Sequence, residues 1–115
     1  MRYIALIYGD ETWFQRQSEA DQQAHLARWD EFSAALQAAG VVSGGARLEP
    51  TAAAKAIRQQ RGGPLVSDGP FAETKEQLCG FLELDVATVE DAVAWAERCP
   101  ATRYGTVEVR PVMPE

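Results

Sequence analysis

Residues 78–100, LCGFLELDVATVEDAVAWAERCP, decide the fold, because their pattern predicts one strand followed directly by one helix. Alternating side chains from Leu78 to Val86 predict a strand with two unlike faces. One face is expected to carry Leu78, Gly80, Leu82, Leu84 and Val86, and the other Cys79, Phe81, Glu83 and Asp85. Thr88 is a typical helix N-cap with an acid three residues later. The buried stripe of this helix is expected to contain Val89, Ala92, Val93, Ala96 and Cys99, with Pro100 ending it.

The first third of the chain predicts the same arrangement. Arg2–Tyr8 (RYIALIY) is rich in β-formers on both faces, which predicts a central strand. Ser18 and Asp21 have the spacing of a capping box, and Gly40 is a typical helix stop. The sequence therefore predicts a helix over residues 19–39. Its buried stripe is expected to contain Trp29, Phe32, Leu36 and Ala39.

The other segments predict four more strands. Residues 41–48 form a strand interrupted by Gly44-Gly45, where we expect a bulge or a close approach of another backbone segment. Residues 54–60 and 64–67 flank an Arg-Gly-Gly turn and predict a hairpin, and residues 106–112 predict the last strand. Without the hairpin the order is βαββαβ. The predicted fold class is therefore α+β, ferredoxin-like βαββαβ with an inserted β-hairpin.

In this fold both helices cover one face of the sheet and leave the other face open. The open face is predicted to carry Cys79 and Phe81 beside Glu83, Glu108 and Arg110, whose charges can form structural ion pairs. A broad, partly apolar sheet face usually marks an interface. Two copies packed face to face about a two-fold axis would bury both faces, so we expect a homodimer.

Length and composition fit a single domain over residues 1–115, with 46% hydrophobic residues. A formal charge of −6 and a pI of 4.8 argue against nucleic acid as a partner. No apolar run is long enough for a membrane span, and the apolar start is too short for a signal peptide. Cys79 and Cys99 lack the spacing of a metal site. We therefore predict reduced thiols in a cytoplasmic protein without a metal or cofactor.

Residues 66–81, VSDGPFAETKEQLCGF, carry the most specific motif. In this segment the chain resembles the DGPF-type branch of the YCII-related family, and the likeness extends to LIYGDE, AAGVVSGG and RYGTVEVRPV elsewhere. The matching residues are Asp68, Gly69, Pro70, Phe71, Glu73, Thr74, Lys75, Glu76, Gln77 and Gly80. The resemblance implies a ferredoxin-like, dimeric α+β barrel, which agrees with the fold predicted from the residues.

What the resemblance implies about function is less specific. Some relatives are fused to, or neighbour, sigma-factor-like proteins. Others in the wider superfamily carry out proton transfer or elimination on small cyclic compounds with a His and Asp pair. Relatives often place His or Tyr three residues before a Phe on the first helix, whereas this chain has Trp29 before Phe32. Its single histidine, His25, lies one turn earlier, so a His–Asp mechanism is not carried over.

Asp68 is the first catalytic candidate. A carboxylate at a strand end, fixed by Gly69-Pro70, could act as a general base if it is partly desolvated. The alternative is a structural role in which its side chain caps the turn. Lys75 or Arg110 would stabilise the developing charge.

His25 is the second catalytic candidate, since its pKa suits proton transfer near neutral pH. A histidine at the edge of an apolar stripe is more often a partly exposed packing residue. The expected ligand-binding residues are Tyr8, Gly69, Pro70, Phe71, Thr74, Lys75 and Arg110. For Phe71 the alternative is a buried ring that anchors the loop. The pocket is predicted between the first helix, the sheet and the Asp68–Lys75 loop, completed by the second copy.

Two functions from different classes follow. The first is a small-molecule-binding protein or enzyme with metal-free acid–base chemistry, such as isomerisation, elimination or hydrolysis of a small polar or cyclic compound. The second is a non-catalytic, dimeric accessory or regulatory module linked to transcription or stress signalling. The specific polar loop favours the first function, and the lack of a complete catalytic constellation favours the second. The sequence leaves open whether the protein is an enzyme.

Overall fold

The architecture is that of a computed structural model, which describes residues 1–115. It contains six strands and two α-helices. In chain order they are β1 (Arg2–Gly9), α1 (Glu19–Ala39), β2 (Val42–Arg47), β3 (Lys55–Gln60), β4 (Gly63–Asp68), β5 (Gln77–Asp85), α2 (Val89–Glu97) and β6 (Thr106–Pro111). Short 3-10 turns cover Phe14–Arg16, Thr51–Ala53 and Pro100–Arg103.

The main sheet has the strand order β2-β5-β1-β6, and all neighbouring strands are antiparallel. With the hairpin left out, this is the order of the ferredoxin-like βαββαβ fold, so the predicted fold class is confirmed. Strands β3 and β4 pair only with each other and form a second, two-stranded sheet. The inserted hairpin is therefore also confirmed.

Both helices begin where their caps predict. Ser18 Oγ accepts a hydrogen bond from the Asp21 N–H at 3.1 Å, and Thr88 Oγ1 accepts one from the Asp91 N–H at 3.2 Å. Gly40 ends α1 with a φ of 68°, a left-handed conformation that glycine adopts at low cost. Helix α2 ends at Glu97, before the predicted stop.

The core lies between the helices and one face of the sheet. Its buried residues are Tyr3, Ala5, Ile7, Phe32, Leu36, Leu84, Ala92, Cys99 and Ala101. Helix α2 packs through its small residues, Ala92 and Ala96, so it comes close to the sheet. Val89 and Val93 flank that alanine face and remain exposed, contrary to the predicted stripe.

A β-bulge reverses the faces at the start of β5. Ile7 pairs with Gly80 and Tyr8 pairs with Leu78, so Cys79 is an extra residue in the strand. Cys79 consequently lies against the core, and Leu78 shares the open face with Tyr8. The predicted faces of Cys79 and Leu78 are wrong, because strict alternation takes no account of an inserted residue. The bulge predicted in β2 is confirmed between Val42 and Gly44.

The hairpin projects from a thin, two-layer body. The radius of gyration is 16.3 Å, against about 13 Å for a compact domain of this length. The principal extents are 51 × 44 × 18 Å, so the molecule is flat, with one dimension less than half of the other two. Neither helix is both long and apolar enough to cross a membrane.

Candidate functional site

The open face of the main sheet carries ordered rows of side chains. Directly paired residues share a face, so the register defines three rows across β5, β1 and β6. The rows are Leu78–Tyr8–Thr106, Phe81–Leu6–Glu108 and Glu83–Ile4–Arg110. The predicted positions of Phe81, Glu83, Glu108 and Arg110 on this face are confirmed. Apolar side chains occupy the middle of the face, and most of its polar groups lie along β6.

A three-residue polar group lies at the β1–β6 side of this face. Oε1 of Glu108 accepts a hydrogen bond from the Tyr8 hydroxyl at 3.4 Å and forms an ion pair with Nε of Arg110 at 3.3 Å. Oε2 of Glu108 has no hydrogen-bond partner in the chain. A carboxylate, a phenol and a guanidinium therefore meet with one acceptor oxygen free for a ligand. The ion pair of Glu108 with Arg110 was expected from the sequence.

The second half of the DGPF loop is hydrogen-bonded to the same edge. The Thr106 hydroxyl lies 2.9 and 3.1 Å from the two carboxylate oxygens of Glu76 and donates its proton to one of them. The Thr74 hydroxyl donates to the Glu76 carbonyl oxygen at 2.7 Å, and Gln77 Nε2 donates to the Thr74 carbonyl oxygen at 2.6 Å. Thr74 thus shapes the loop beside the site.

The first half of the loop lies away from this polar group. Asp68 ends β4, its side chain is 83% exposed, and its carboxylate forms an ion pair with Lys55 across the hairpin. It accepts no backbone N–H, so the predicted turn-capping role is wrong. The Gly69 N–H instead closes the base of the hairpin by donating to the Ala54 carbonyl oxygen at 2.7 Å. One chain alone does not supply the desolvation that a basic Asp68 requires.

Phe71 is 85% exposed, so the prediction that its ring anchors the loop is wrong. The loop projects beyond the sheet, and no side chain of the same chain covers the ring. Pro70 and Lys75 are exposed as well. No hydrogen bond or ion pair joins Asp68 or Lys75 to the Tyr8–Glu108–Arg110 group within one chain. The structure therefore brings Tyr8 and Arg110 together but leaves the front of the DGPF loop apart from them.

His25 lies on the other side of the sheet, in an aromatic cluster. It is 5% exposed, and its Nε2 accepts a hydrogen bond from Nε1 of Trp29 at 3.1 Å. Trp13 and Tyr104 stack on each other at 4.3 Å, and both rings meet the imidazole edge-on. The prediction of a partly exposed histidine is wrong, because these rings come from segments distant in sequence.

The environment of His25 favours its neutral form. Desolvation lowers the pKa of the imidazole most, and the positive charges of Arg28 and Arg103 lower it further. Since Nε2 accepts the Trp29 bond, the proton of the neutral ring is on Nδ1, which is buried without a partner. The sheet separates this ring from Glu108 and Arg110.

Glu83 of β5 lies over Gly44, its partner in the bulged strand β2. A Cβ at Gly44 would lie 2.6 Å from Oε2 of Glu83, so the glycine makes room for the carboxylate. On the helix side, a groove of about 440 Å³ runs between α1 and β2, lined by Ser33, Leu36, Gln37, residues 42–45 and Leu82. No ionisable side chain lines this groove, and neither does the Asp68–Lys75 loop. The pocket predicted among helix, sheet and loop is thus not formed within one chain.

The sequence analysis did not identify two residues that hold this region together, Thr106 beside the polar group and Glu11 at the base of the hairpin. Oε1 and Oε2 of Glu11 accept hydrogen bonds from the N–H and hydroxyl of Thr51, at 2.7 and 3.0 Å, and so fix the base of the hairpin. The register of β6 could have indicated Thr106, whereas no local signal links Glu11 to a residue 40 positions later. No group of three or more His, Cys, Asp or Glu side chains is arranged to hold a metal ion.

The ferredoxin-like sheet with its inserted hairpin places the chain among small α+β proteins. The chain belongs to the YCII-related family, because the model of the YCII-related domain matches residues 1–115. The resemblance found in the DGPF motif is thereby confirmed at family level.

Two similar proteins extend this comparison. An uncharacterised protein of Rhizobium meliloti is 37% identical over 116 residues, which cover 97% of this chain and 92% of that protein. The solved 5-chloro-2-hydroxyhydroquinone dehydrochlorinase of Burkholderia phenoliruptrix, in complex with 2,5-dihydroxybenzoquinone, has a TM-score of 0.51 and 14% identity. That match covers 98% of this chain and 94% of the dehydrochlorinase. At this identity the likeness shows a shared fold.

Proposed function

We propose that the protein binds a small, polar, cyclic compound on the open face of its sheet and performs metal-free acid–base chemistry on it. The observation that carries this proposal is the bonding of Glu108. One carboxylate oxygen accepts a hydrogen bond from Tyr8 and forms an ion pair with Arg110, while the other is free. Residues held on adjacent strands are positioned more rigidly than residues on loops, which suits a site that must orient a ligand.

The apolar centre of the face supports a cyclic ligand. Ile4, Leu6 and Phe81 form a surface beside the polar group, on which a planar ring could pack. Ligand sites typically combine such an apolar surface with a few polar groups that fix orientation. Ring oxygens of the ligand would then meet the Tyr8 hydroxyl and the Arg110 guanidinium.

The proposed chemistry is a proton transfer with Glu108 as the base. Its free carboxylate oxygen removes a proton from a ring C–H or O–H, and the electron pair moves onto a ring oxygen. Arg110 stabilises that negative charge, and the Tyr8 hydroxyl turns from Glu108 to donate its hydrogen bond to the charged oxygen. Return of the proton to another ring atom gives isomerisation, and departure of a leaving group with its electron pair gives elimination.

A second copy of the chain completes the proposed site. The polar group of one chain is partly exposed, and water weakens its electrostatic contribution. A homodimer formed through the open faces would exclude that water and strengthen the interactions of Glu108 with a ligand. The dehydrochlorinase that shares the fold was solved with 2,5-dihydroxybenzoquinone, a compound of the proposed size and polarity. That compound is therefore a suitable probe.

The second candidate function, a non-catalytic regulatory module, is favoured by a different observation. The ring of Phe71 and the carboxylate of Asp68 are both exposed at the front of the most specific motif. An exposed aromatic residue on a loop is typical of a protein-contact surface. Under this function the open face needs no ligand.

Calorimetric titration with 2,5-dihydroxybenzoquinone separates the two functions. We expect wild-type protein to bind the probe and Arg110→Gln to bind it at least ten-fold more weakly, because the ionised probe loses the positive charge that holds its oxygens. Arg28→Gln is the matched control, since Arg28 lies exposed on α1 behind the sheet. Absence of binding by the wild type, or equal binding by Arg110→Gln, would contradict the proposal.

A further inference from the structure

The β3–β4 hairpin exposes apolar side chains that a folded chain normally covers. Ile57 and Val66 are directly paired and are 69% and 60% exposed. Leu65, on the opposite face of the hairpin, is also exposed. A two-stranded hairpin without further packing is at best marginally stable in water. Another surface is therefore required to cover it.

The base of the hairpin is fixed, so its direction is defined. The Gly69 N–H donates to the Ala54 carbonyl oxygen, and Glu11 binds Thr51 through two hydrogen bonds. The Leu48 N–H donates to the Cys79 carbonyl oxygen at 2.9 Å, which joins the preceding segment to β5. The hairpin forms its own sheet and does not pair with the main sheet of its chain.

The charges of the hairpin complement those of the open face. In a chain of net charge −6, residues 55–68 hold three cations and one carboxylate. Lys55 and Asp68 neutralise each other, and Arg58 and Arg61 form no ion pair. The open face and its edge carry four carboxylates and two cations: Glu76, Glu83, Asp85, Glu108, Arg2 and Arg110.

We propose that the hairpin is an arm that crosses to a second copy of this chain and covers the β2–β5 side of that copy's open face. Ile57 and Val66 would pack on Leu78, the exposed leucine of β5 on that face, with the free arginines beside Glu83, and the surface of Leu6 and Phe81 stays available to the ligand. In a two-fold dimer each copy both gives and receives an arm. The inference rests on the proposed function, because it names what closes the open-face site.

The dimensions of the arm suit this role. Six residues in a strand extend about 20 Å, whereas the outer strands of a four-stranded sheet lie about 14 Å apart. One arm is therefore long enough to reach the β2–β5 side of the partner's open face. The crossing also moves Phe71 and Asp68, at the base of the arm, to the rim of the other copy's site. At that rim the second copy would cover the exposed ring of Phe71 and shield the Asp68 carboxylate from water.

Isotope-mixed cross-linking tests the crossing. The Ile57→Cys variant is labelled at its new thiol with a benzophenone maleimide. The native thiols of Cys79 and Cys99 react slowly with the maleimide, because burial raises their pKa values. Equal amounts of ¹⁴N and ¹⁵N protein are unfolded, refolded together and irradiated. We expect cross-linked peptides that join residues 57 and 78–85 with mixed isotopes. Only same-isotope cross-links would mean that the arm stays on its own chain, and would overturn the inference.

Sedimentation equilibrium supplies the second test. Ile57→Asp with Val66→Asp is expected to raise the dimer dissociation constant at least 100-fold, while Leu26→Asp, at an exposed leucine of α1, changes it less than three-fold. A hairpin variant as dimeric as the wild type overturns the arm but leaves the open-face site standing. A wild-type monomer at micromolar concentration overturns both. Far-UV circular dichroism checks that the main sheet is intact.

Discussion

Tyr8 and Glu108 meet diagonally across β1 and β6. The direct partner of Tyr8 is Thr106 and that of Glu108 is Leu6, yet the Tyr8 hydroxyl lies 3.4 Å from Oε1 of Glu108. Aromatic side chains are long enough to reach such diagonal neighbours. The contact forms only in this register of β1 and β6, so the proposed chemistry depends directly on the fold.

Tyr8→Phe removes this hydrogen bond and leaves the ring in place. The bond is long and partly exposed, so we expect the free energy of unfolding to change by less than about 1 kcal/mol. Binding of 2,5-dihydroxybenzoquinone should weaken three- to ten-fold, because the donor to the ligand is lost. Urea denaturation and calorimetric titration measure the two effects. Unchanged binding would remove Tyr8 from the proposed site.

Gly105→Ala should destabilise the protein more than Gly44→Ala. A Cβ at Gly105 would collide with the backbone carbonyl oxygen of Tyr8, which cannot move without disturbing β1. A Cβ at Gly44 would meet only the flexible end of Glu83. We expect a loss of about 1–3 kcal/mol for Gly105→Ala and a smaller loss for Gly44→Ala, measured by urea denaturation. The reverse order would contradict the close approach of these strands.

Stability should depend on the protonation of His25, the single histidine. Its pKa in the folded protein is lowered by burial, so the unfolded chain binds the proton first as the pH falls. The free energy of unfolding is therefore expected to decrease as the pH drops through about 6.5 toward the folded-state pKa. The contribution of one proton cannot exceed about 1.4 kcal/mol per pH unit.

His25→Gln isolates this contribution. The glutamine side chain can still accept the Trp29 N–H but does not titrate. The difference in slope between wild type and variant, measured by urea denaturation from pH 7.5 to 5, reports the histidine alone, because the carboxylates are common to both. Parallel slopes would show that His25 is not buried as described.

Glu11→Gln should loosen the base of the hairpin. The variant weakens two hydrogen bonds to Thr51 by removing the negative charge of the acceptor. A loss of about 1 kcal/mol corresponds to about five-fold faster hydrogen exchange at the Gly69 N–H, which closes the hairpin. Glu49→Gln is the control, because Glu49 is exposed and makes no hydrogen bond through its side chain. Equal exchange in both variants would contradict the proposed anchoring.

Local sequence signals were sufficient for most of the fold. The Ser18 and Thr88 caps and the Gly40 stop each act within a few residues, and the structure agrees with them. The helix periods indicated both helices, although Val89 and Val93 of the predicted stripe are exposed. The faces of β5 were predicted correctly only after the bulge. An inserted residue such as Cys79 shows no signature in an alternating pattern, because its position is set by the neighbouring strand.

The site was harder to predict, because its contacts join distant segments. His25 is buried by Trp13 and Tyr104, and the second of these rings is 79 residues away in sequence. The motif residue Asp68 suggested a catalytic base, yet its environment within one chain is an exposed ion pair. In the proposed assembly that environment depends on a second copy, which no pattern within one chain describes.

A crystal structure of the protein grown with 2,5-dihydroxybenzoquinone tests the central claim most directly. We expect two chains that face each other through their sheets, with the probe enclosed between them and an oxygen of the probe within hydrogen-bonding distance of the Tyr8 hydroxyl or Arg110. Chains with solvent-filled open faces, or the probe bound on the helix side of the sheet, would contradict the claim.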